Sequence, residues 1–141
     1  MGLDYVKELV YKIADAVSGG EVVPIETAHI SGVSYVTIGE YGTQFLEHLA
    51  SLGARVSVFT TSNPSAVDIG GALSVDEKIA RGQERINKAL RAMGVSTFYS
   101  CAPYEFVLTR QRTFHAWAES SAAAYINTFR DAWSDKNPGP L

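Results

Sequence analysis

Small polar side chains, one histidine and a single cysteine are the residues of this chain whose types could carry chemistry. They form three groups, each placed after a segment rich in β-branched residues. The groups are Thr27, His29, Ser31 and Ser34; then Thr60, Thr61, Ser62 and Asn63; and finally Cys101. Hydroxyl and amide groups hydrogen-bond to carboxylate or phosphate oxygens, and a cysteine thiolate can act as a nucleophile or as a metal ligand.

Each of these residues also has an ordinary structural explanation. Ser, Thr and Asn are common in turns, and Ser34 or Thr37 could simply cap the helix that follows. Cys101 could fill the core, because free cysteine is among the most buried residue types, or serve as a nucleophile or cluster ligand. The three histidines are too scattered along the chain to predict a metal site.

Motifs and net charge exclude several classes of function. The chain has no Gly-Lys-Ser/Thr phosphate loop, no G-x-G-x-x-G, no H-E-x-x-H and no G-x-S-x-G. With 12 Lys and Arg against 15 Asp and Glu, the net charge is -3, so we predict no nucleic-acid partner. No apolar run reaches the ~18 residues of a membrane span. A single cysteine forms no internal disulfide, and we therefore expect a soluble protein of the cytoplasm.

Alternating strands and helices must position the three polar groups. The spacing predicts helices over residues 3–17, 37–52 and 74–93, and strands over residues 21–26, 55–60 and 95–100. This order predicts right-handed crossovers and a three-layer α/β fold, in which helices cover a mostly parallel sheet. Because the carboxyl ends of parallel strands share one edge, we expect the polar groups to converge on one site there.

The apolar periodicity predicts which face each helix buries. The expected core residues are Val10, Ile13 and Val17 on the first helix, Phe45, Leu49 and Leu52 on the second, and Ile79, Ile86, Leu90 and Met93 on the third. Ser74 and Glu77 are expected to form a capping box at the start of the third helix. A chain of 141 residues can bury one sizeable core, so we predict a single domain over residues 1–141. Residues 134–141 are rich in turn formers and are expected to be a flexible tail.

Four blocks of the sequence resemble signatures of the aconitase X family, in the same order. They are TAHISGVSYVTIG at residues 27–39, residues 45–56 with TTSNP at residues 60–64, SCAPY at residues 100–104, and AWAESSA at residues 116–122. The resemblance covers about residues 20–128 and implies an aconitase-like fold.

The resemblance also implies an activity and a site. Members of the family are hydro-lyases that dehydrate small hydroxy acids such as cis-3-hydroxy-L-proline or mevalonate 5-phosphate. An iron-sulfur cluster or iron centre held by three cysteines binds the departing hydroxyl as a Lewis acid, while a base removes the neighbouring proton. The matching positions imply that Cys101 is a metal ligand and that the substrate contacts are Gly32, Val33, Ser34, Asn63, Glu119 and Ser120.

The sequence departs from the family pattern after Asn127. Two further family cysteines lie beyond the matched region, and a smaller swivelling domain or subunit closes the site in relatives. We therefore expect a hydro-lyase module whose iron centre is completed by another chain or segment, with a second protein chain or self-association as its partner. Exposed apolar surface around Trp117, Tyr125, Phe129 and Trp133 would mark that interface. The alternatives are a non-catalytic small-molecule binding or assembly protein on the same scaffold, and a thiol enzyme that uses Cys101 directly.

Overall fold

Helices and strands alternate along the chain, as the spacing predicts. The computed structural model describes residues 3–17, 21–63, 73–98, 100, 102–106, 113–117, 122, 124–125 and 133–134. Within these ranges the helices are α1 (Leu3–Ala16), α2 (Tyr35–Ser51) and α3 (Glu77–Ala92), and the strands are β1 (Thr27–Ile30), β2 (Phe59–Ser62), β3 (Ser96–Thr97), β4 (Phe114–Trp117) and β5 (Trp133–Ser134). A 3₁₀ turn covers Pro103–Glu105. None of the helices in the described ranges has both the length and the hydropathy to cross a membrane.

The strands form one parallel sheet in the order β3-β2-β1-β4-β5. From β1 the chain proceeds outward through β2 to β3, and it then returns to the other side of β1 with β4 and β5. The strand order therefore reverses between β1 and β4. In the register, Ile30 lies opposite Ser62, and His29 lies opposite both Thr61 and Trp117, so the carboxyl ends of these strands share one edge. This arrangement confirms the predicted α/β fold with a parallel sheet.

Helices α2 and α3 cover one face of the sheet. Ile86 and Leu90 of α3 are fully buried, and Met93 packs with them, as the periodicity of this helix predicts. Ile30 of β1 and Leu49 of α2 pack against the same cluster. Since Ile30 projects from the sheet towards α2 and α3, the alternation of strand side chains places every second residue of each strand on this covered face.

The opposite face of the sheet has its own smaller core. Trp117 and Ala122 are both fully buried there, and Tyr104 stacks on Tyr125 with 4.1 Å between the ring centroids. Trp117 is therefore not part of an exposed apolar surface, and that part of the interface prediction is wrong. The Trp133 side chain and Phe129 lie outside what the structure describes.

The first two strands begin later than the sequence predicts. Strand β1 begins at Thr27 rather than within residues 21–26, and β2 begins at Phe59 rather than at residue 55. Pro24 has no N–H to donate, and pairing of this segment starts with the Glu26 N–H, which donates to the Phe114 carbonyl at 2.9 Å. Half of β1 and three residues of β2 are Thr, Ser or His. The buried side chains of Thr27, His29, Thr60 and Thr61 form hydrogen bonds that a hydropathy pattern does not reveal.

The helix ends and faces also differ from the predictions in places. Asp76, and not Ser74, caps α3, since its carboxylate accepts hydrogen bonds from the N–H groups of Lys78 and Ile79. On α2, Leu49 is half-buried as expected, whereas Phe45 and Leu52 are exposed.

A kink interrupts α2 at Gly39. This residue has φ 60° and ψ -162°, a conformation outside the helical region, and the buried stripe after it runs through Thr43, Leu46 and Leu49. The Thr43 hydroxyl donates to the Gly39 carbonyl at 2.8 Å, which allows this polar residue to be buried.

The predicted apolar face of α1 is exposed rather than buried in the described structure. Val10, Ile13 and Val17 are 45, 55 and 67% exposed. At the other end of the chain, Ser134 of the predicted flexible tail lies in β5, and residues 135–141 lie outside the described part of the chain.

Candidate functional site

The reversal of strand order between β1 and β4 marks a crevice at the carboxyl edge of the sheet. In open α/β sheets, ligands bind at this point. Strand β1 ends at Ile30, and the loop of residues 31–34 leads from it into α2. Strand β2 ends at Ser62 and is followed by Asn63. Of the predicted substrate contacts, Gly32, Val33, Ser34 and Asn63 are therefore placed at one edge, as expected.

The loop of residues 31–34 presents backbone N–H groups at this edge. Gly32 has φ 70°, in the left-handed region that favours glycine, and a Cβ placed there would have no atom within 4 Å. Glycine is thus required by the backbone conformation and not by crowding. Within the described residues, no hydrogen bond uses the backbone N–H of Gly32 or Val33. Successive N–H groups around a residue with positive φ can form a concave site for an anion.

Ser34 caps α2, which confirms the structural explanation for this residue. Its Oγ accepts a hydrogen bond from the Thr37 N–H at 3.3 Å and lies 2.8 Å from Thr37 Oγ1. Either hydroxyl can be the donor in the second contact. When Thr37 donates, the Ser34 hydrogen is available to a ligand oxygen, so capping and ligand binding are compatible roles.

Helix α3 fixes the start of α2. The Tyr35 N–H donates to Oε1 of Gln83 at 3.0 Å, and Nε2 of Gln83 donates to Oδ1 of Asn87 at 3.1 Å. The Tyr35 ring lies directly against Gly82, where a Cβ would be 2.1 Å from a ring carbon. The sequence reasoning missed Gly82 and Gln83. A glycine in the interior of an amphipathic helix was the available signal, since it lowers helix propensity and marks close packing.

Four residues predicted to lie in loops are in fact buried in strands. They are Thr27 and His29 in β1, and Thr61 and Ser62 in β2. Thr60, predicted as the last residue of the second strand, is also buried in β2. Nδ1 of His29 is 2.7 Å from Oγ1 of Thr61, and the Thr60 hydroxyl donates to the Val58 carbonyl at 2.9 Å. The first of these contacts joins the carboxyl-terminal halves of β1 and β2, and the second lies at the start of β2. The Asn63 N–H, donating to the Ile30 carbonyl at 3.4 Å, extends the pairing to the edge.

A buried hydrogen-bond network joins β1 to β4 beneath the crevice. The Trp117 indole N–H donates to Thr27 Oγ1 at 3.0 Å, and Thr27 Oγ1 is 2.8 Å from Nδ1 of His115. Nε2 of His115 is 2.9 Å from Oγ1 of Thr113. Burial lowers the pKa of His115, with the Glu26 carboxylate acting in the opposite direction. Either neutral tautomer satisfies both ring nitrogens, because each hydroxyl can donate or accept.

A cavity of about 370 Å³ lies between the first turns of α2 and α3. Its charges are largely paired. Arg85 forms paired hydrogen bonds to Glu47, at 2.7 and 2.8 Å, and to Glu40, at 2.9 and 3.0 Å. Arg81 is paired with Glu77. Since these guanidinium groups already have carboxylate partners, this cavity is a weaker candidate for binding an anion than the carboxyl edge of the sheet.

Three of the predicted site residues lie outside the described residues. They are the predicted metal ligand Cys101 and the predicted substrate contacts Glu119 and Ser120, whose roles stay predictions. Strand β3 ends at Thr97, four positions before Cys101, and β4 ends at Trp117, shortly before Glu119 and Ser120 in the sequence. In the described ranges no three His, Cys, Asp or Glu residues lie close enough together to hold a metal ion.

The donor set of this chain does not fit a complete iron-sulfur cluster. The sequence contains one cysteine, whereas such clusters are held by several thiolates. Cys101 could supply one ligand, and the remaining ligands would have to come from other polypeptide. The resemblance of the sequence blocks to the aconitase X family implies an iron-sulfur cluster in general for such proteins.

Comparison with known proteins agrees with the sequence blocks and the fold. The family model described as "Aconitase X first domain" matches residues 4–141. The phosphomevalonate dehydratase large subunit of Aeropyrum pernix is 40% identical over 95% of this chain and 36% of its own length. The cis-3-hydroxy-L-proline dehydratase of Pseudomonas aeruginosa is 31% identical over 91% of this chain and 22% of its own length.

A solved structure shows the same fold. The crystal structure of Thermococcus kodakaraensis aconitase X, in its holo form, superposes with a TM-score of 0.76 at 29% identity and covers 94% of this chain and 33% of that one. The expectation of an aconitase-like fold is thereby confirmed. The chain spans about a third of the length of the phosphomevalonate dehydratase large subunits, and less of the cis-3-hydroxy-L-proline dehydratases. From the sequence blocks, the family match and the fold together, the chain belongs to the aconitase X family.

Proposed function

We propose that this chain is a module of a dehydratase, a hydro-lyase that removes water from a small hydroxy acid. The observation that carries the proposal is the loop of residues 31–34, which presents unused N–H groups at the strand-order reversal of a sheet with the aconitase X fold. Relatives that share this part of the fold are dehydratases. Residues 1–141 would form one domain of the complete enzyme.

Phosphomevalonate is the first substrate to test. The phosphomevalonate dehydratase large subunits of Aeropyrum pernix and Methanocaldococcus jannaschii are 40 and 38% identical to this chain, compared with 31% for the cis-3-hydroxy-L-proline dehydratase of Pseudomonas aeruginosa. A carboxylate and a phosphate both suit a site made of backbone N–H groups and hydroxyls, because neither requires a net positive surface.

The residues of this chain would bind and orient the substrate. Gly32 and Val33 would donate backbone N–H groups to its anionic oxygens, Ser34 its hydroxyl, and Asn63 its side-chain amide. Glu119 and Ser120, which come shortly after β4 in the sequence, would contact the remaining polar groups of the substrate.

The iron centre would be shared with other polypeptide. Cys101 would supply one thiolate, and another chain or segment would complete the ligand set. The relatives named as large subunits support a second protein chain as partner. When bound, such a centre supplies a Lewis acid for the departing hydroxide. A reducing compartment such as the cytoplasm would keep this thiol available.

The one-cysteine donor set favours a second candidate function. A binding or assembly protein on the same scaffold would use the loop of residues 31–34 and Asn63 without a cluster. Anaerobic reconstitution with iron and sulfide, followed by iron counting, separates the two functions. The dehydratase proposal expects iron uptake when the completing chain is added, and loss of that uptake in Cys101→Ser. If iron binds neither to this chain alone nor to this chain with the completing chain added, the second candidate is favoured.

Ser34 tests the substrate site directly by calorimetric titration with phosphomevalonate. Glycine is nearly as good an N-cap as serine, so Ser34→Gly removes the hydroxyl at a stability cost of only a few tenths of a kcal/mol. We expect it to weaken binding by about 1–3 kcal/mol, which corresponds to roughly 5- to 150-fold in Kd.

Two charge variants provide the matched comparison. Ser34→Asp keeps the cap but places a negative charge beside the anion, and it should weaken binding at least as much as Ser34→Gly. Ser57→Asp adds the same charge two residues before β2, at the opposite edge of the sheet, and should leave Kd unchanged. Unchanged binding in both Ser34 variants would leave this residue with its capping role alone.

A further inference from the structure

Ser62 is fully buried, and its hydroxyl has no hydrogen-bond partner in the described part of the chain. Neighbouring hydroxyls of the sheet are satisfied: Thr60 donates to the Val58 carbonyl, and Thr61 is bonded to His29. A buried unpaired hydroxyl lowers stability, and alanine would occupy nearly the same volume without this cost. The presence of serine here therefore requires an explanation other than packing.

The position of Ser62 suggests that explanation. It is the last residue of β2 and lies in register with Ile30, the last residue of β1. Paired residues of neighbouring strands project to the same side, so Ser62 lies on the face that α2 and α3 cover. The loop of residues 31–34 passes from Ile30 into α2 on that side. The buried hydroxyl thus lies at the edge where the N–H groups of Gly32 and Val33 are also unused.

The start of α2 does not satisfy this hydroxyl. The Tyr35 N–H is bonded to Gln83, and the N–H of Thr37 is bonded to Ser34. These two N–H groups are thus paired by protein atoms, while the Ser62 hydroxyl has no partner in the described part of the chain. A group that becomes paired only in the bound state is expected at a ligand site, where stability is given up for function.

On these observations, and on the dehydratase proposal, we infer that Ser62 is an additional ligand-contacting residue. Its hydroxyl donates to an anionic oxygen of the bound hydroxy acid, whose other oxygens accept the N–H groups of Gly32 and Val33. Because Ser62 is fully buried, the proposal requires the loop of residues 31–34 to move aside when the ligand binds. Without ligand, the hydroxyl has no partner in the described part of the chain.

Ser62→Ala tests the inference, because we expect it to raise stability and to weaken ligand binding. Ser62→Ala should raise Tm by roughly 3 °C, because it removes an unpaired buried hydroxyl, and should weaken phosphomevalonate binding about tenfold. Ser62→Cys, a weaker donor of similar volume, should bind with intermediate affinity. Tm is measured by calorimetry without ligand, and Kd by titration of the same preparations.

Thr60→Val is the matched control, because Thr60 lies two residues earlier on the same face of β2 and its hydroxyl is paired. It should lower Tm and leave Kd unchanged. If Ser62→Ala lowers Tm as Thr60→Val does, the hydroxyl has a structural partner and the inference is wrong. If Ser62→Ala binds phosphomevalonate as tightly as the parent, Ser62 is no contact, although the proposed function stands. If the parent itself binds none of phosphomevalonate, cis-3-hydroxy-L-proline and inorganic phosphate, both proposals fail.

Discussion

Replacing Gly82 by alanine should destabilise the protein, although the same change normally stabilises a helix. A Cβ at this position would lie 2.1, 2.4 and 2.5 Å from three carbons of the Tyr35 ring. The ring cannot withdraw freely, because Tyr35 is bonded through its N–H to Gln83 and through its hydroxyl to Glu40. Either the ring or the start of α2 must therefore move.

The magnitude follows from two opposing effects. Alanine in place of glycine in a helix interior gains about 1 kcal/mol of helix propensity. Overpacking a close contact costs about 1–3 kcal/mol, and more where rigid groups must shift. The shift here approaches an ångström, since Cβ contacts below 3.0 Å are essentially never seen. We place the cost at or above the upper end of that range and expect a net loss of about 2 kcal/mol in the free energy of unfolding.

Urea denaturation of Gly82→Ala, with and without Tyr35→Ala, measures this effect. The single variant should show a lower urea midpoint with an unchanged slope and a Tm about 6–8 °C below the parent. In the Tyr35→Ala background the ring is absent, so the same alanine should become stabilising by up to about 1 kcal/mol. A neutral or stabilising Gly82→Ala in the parent would refute the packing argument.

Two further predictions concern pH. His115 has a lowered pKa from burial, so its contribution to stability is complete above about pH 6.5 and falls as the pH drops below 6.5 towards the lower folded value. His115→Gln should remove this part of the pH dependence of the urea midpoint, and parallel curves for both proteins would contradict the assignment. The hydrogen bonds of Gln44 and Arg85 lower the pKa of Glu40, and those of Arg85 lower that of Glu47, so these carboxylates stabilise the fold above about pH 4.5 and lose that effect below it. Arg85→Gln should raise both pKa values in an NMR titration; unchanged values would show that Arg85 is not their cause.

The fold class could be predicted from the sequence, but the strand positions could not. Helix periodicity is a strong signal, and the buried residues Ile86 and Leu90 of α3 follow it. The strands that carry the site are rich in Thr, Ser and His, so hydropathy assigned β1 and the second half of β2 to loops. Their side chains are buried because His29 bonds to Thr61 and Thr27 bonds to Trp117, and such pairs join residues 32 and 90 positions apart. Local sequence does not contain that information.

The candidate site was predictable to the extent that it follows strand ends. Gly32, Ser34 and Asn63 lie at the carboxyl edge as expected, because loops follow strands even when strand boundaries shift by several residues. The residue that holds the start of α2 in place was not predictable. Gln83 accepts a hydrogen bond from the Tyr35 N–H, but it lies on another helix, 48 positions further along the chain. A residue that acts across such a distance has no spacing rule to reveal it.

The effects of three variants on stability and on binding distinguish a ligand site from an edge of the sheet that is only structural. Gly82 and Gln83 hold the start of α2, so Gly82→Ala should lower stability and binding together. Ser34→Gly should lower binding with little change in stability, because glycine still caps the helix. Ser62→Ala should lower binding while raising stability, because its hydroxyl has no partner in the described structure. General loosening of the edge can produce only the first of these patterns. Observing all three would therefore place the ligand between the loop of residues 31–34 and the end of β2, without relying on any single variant.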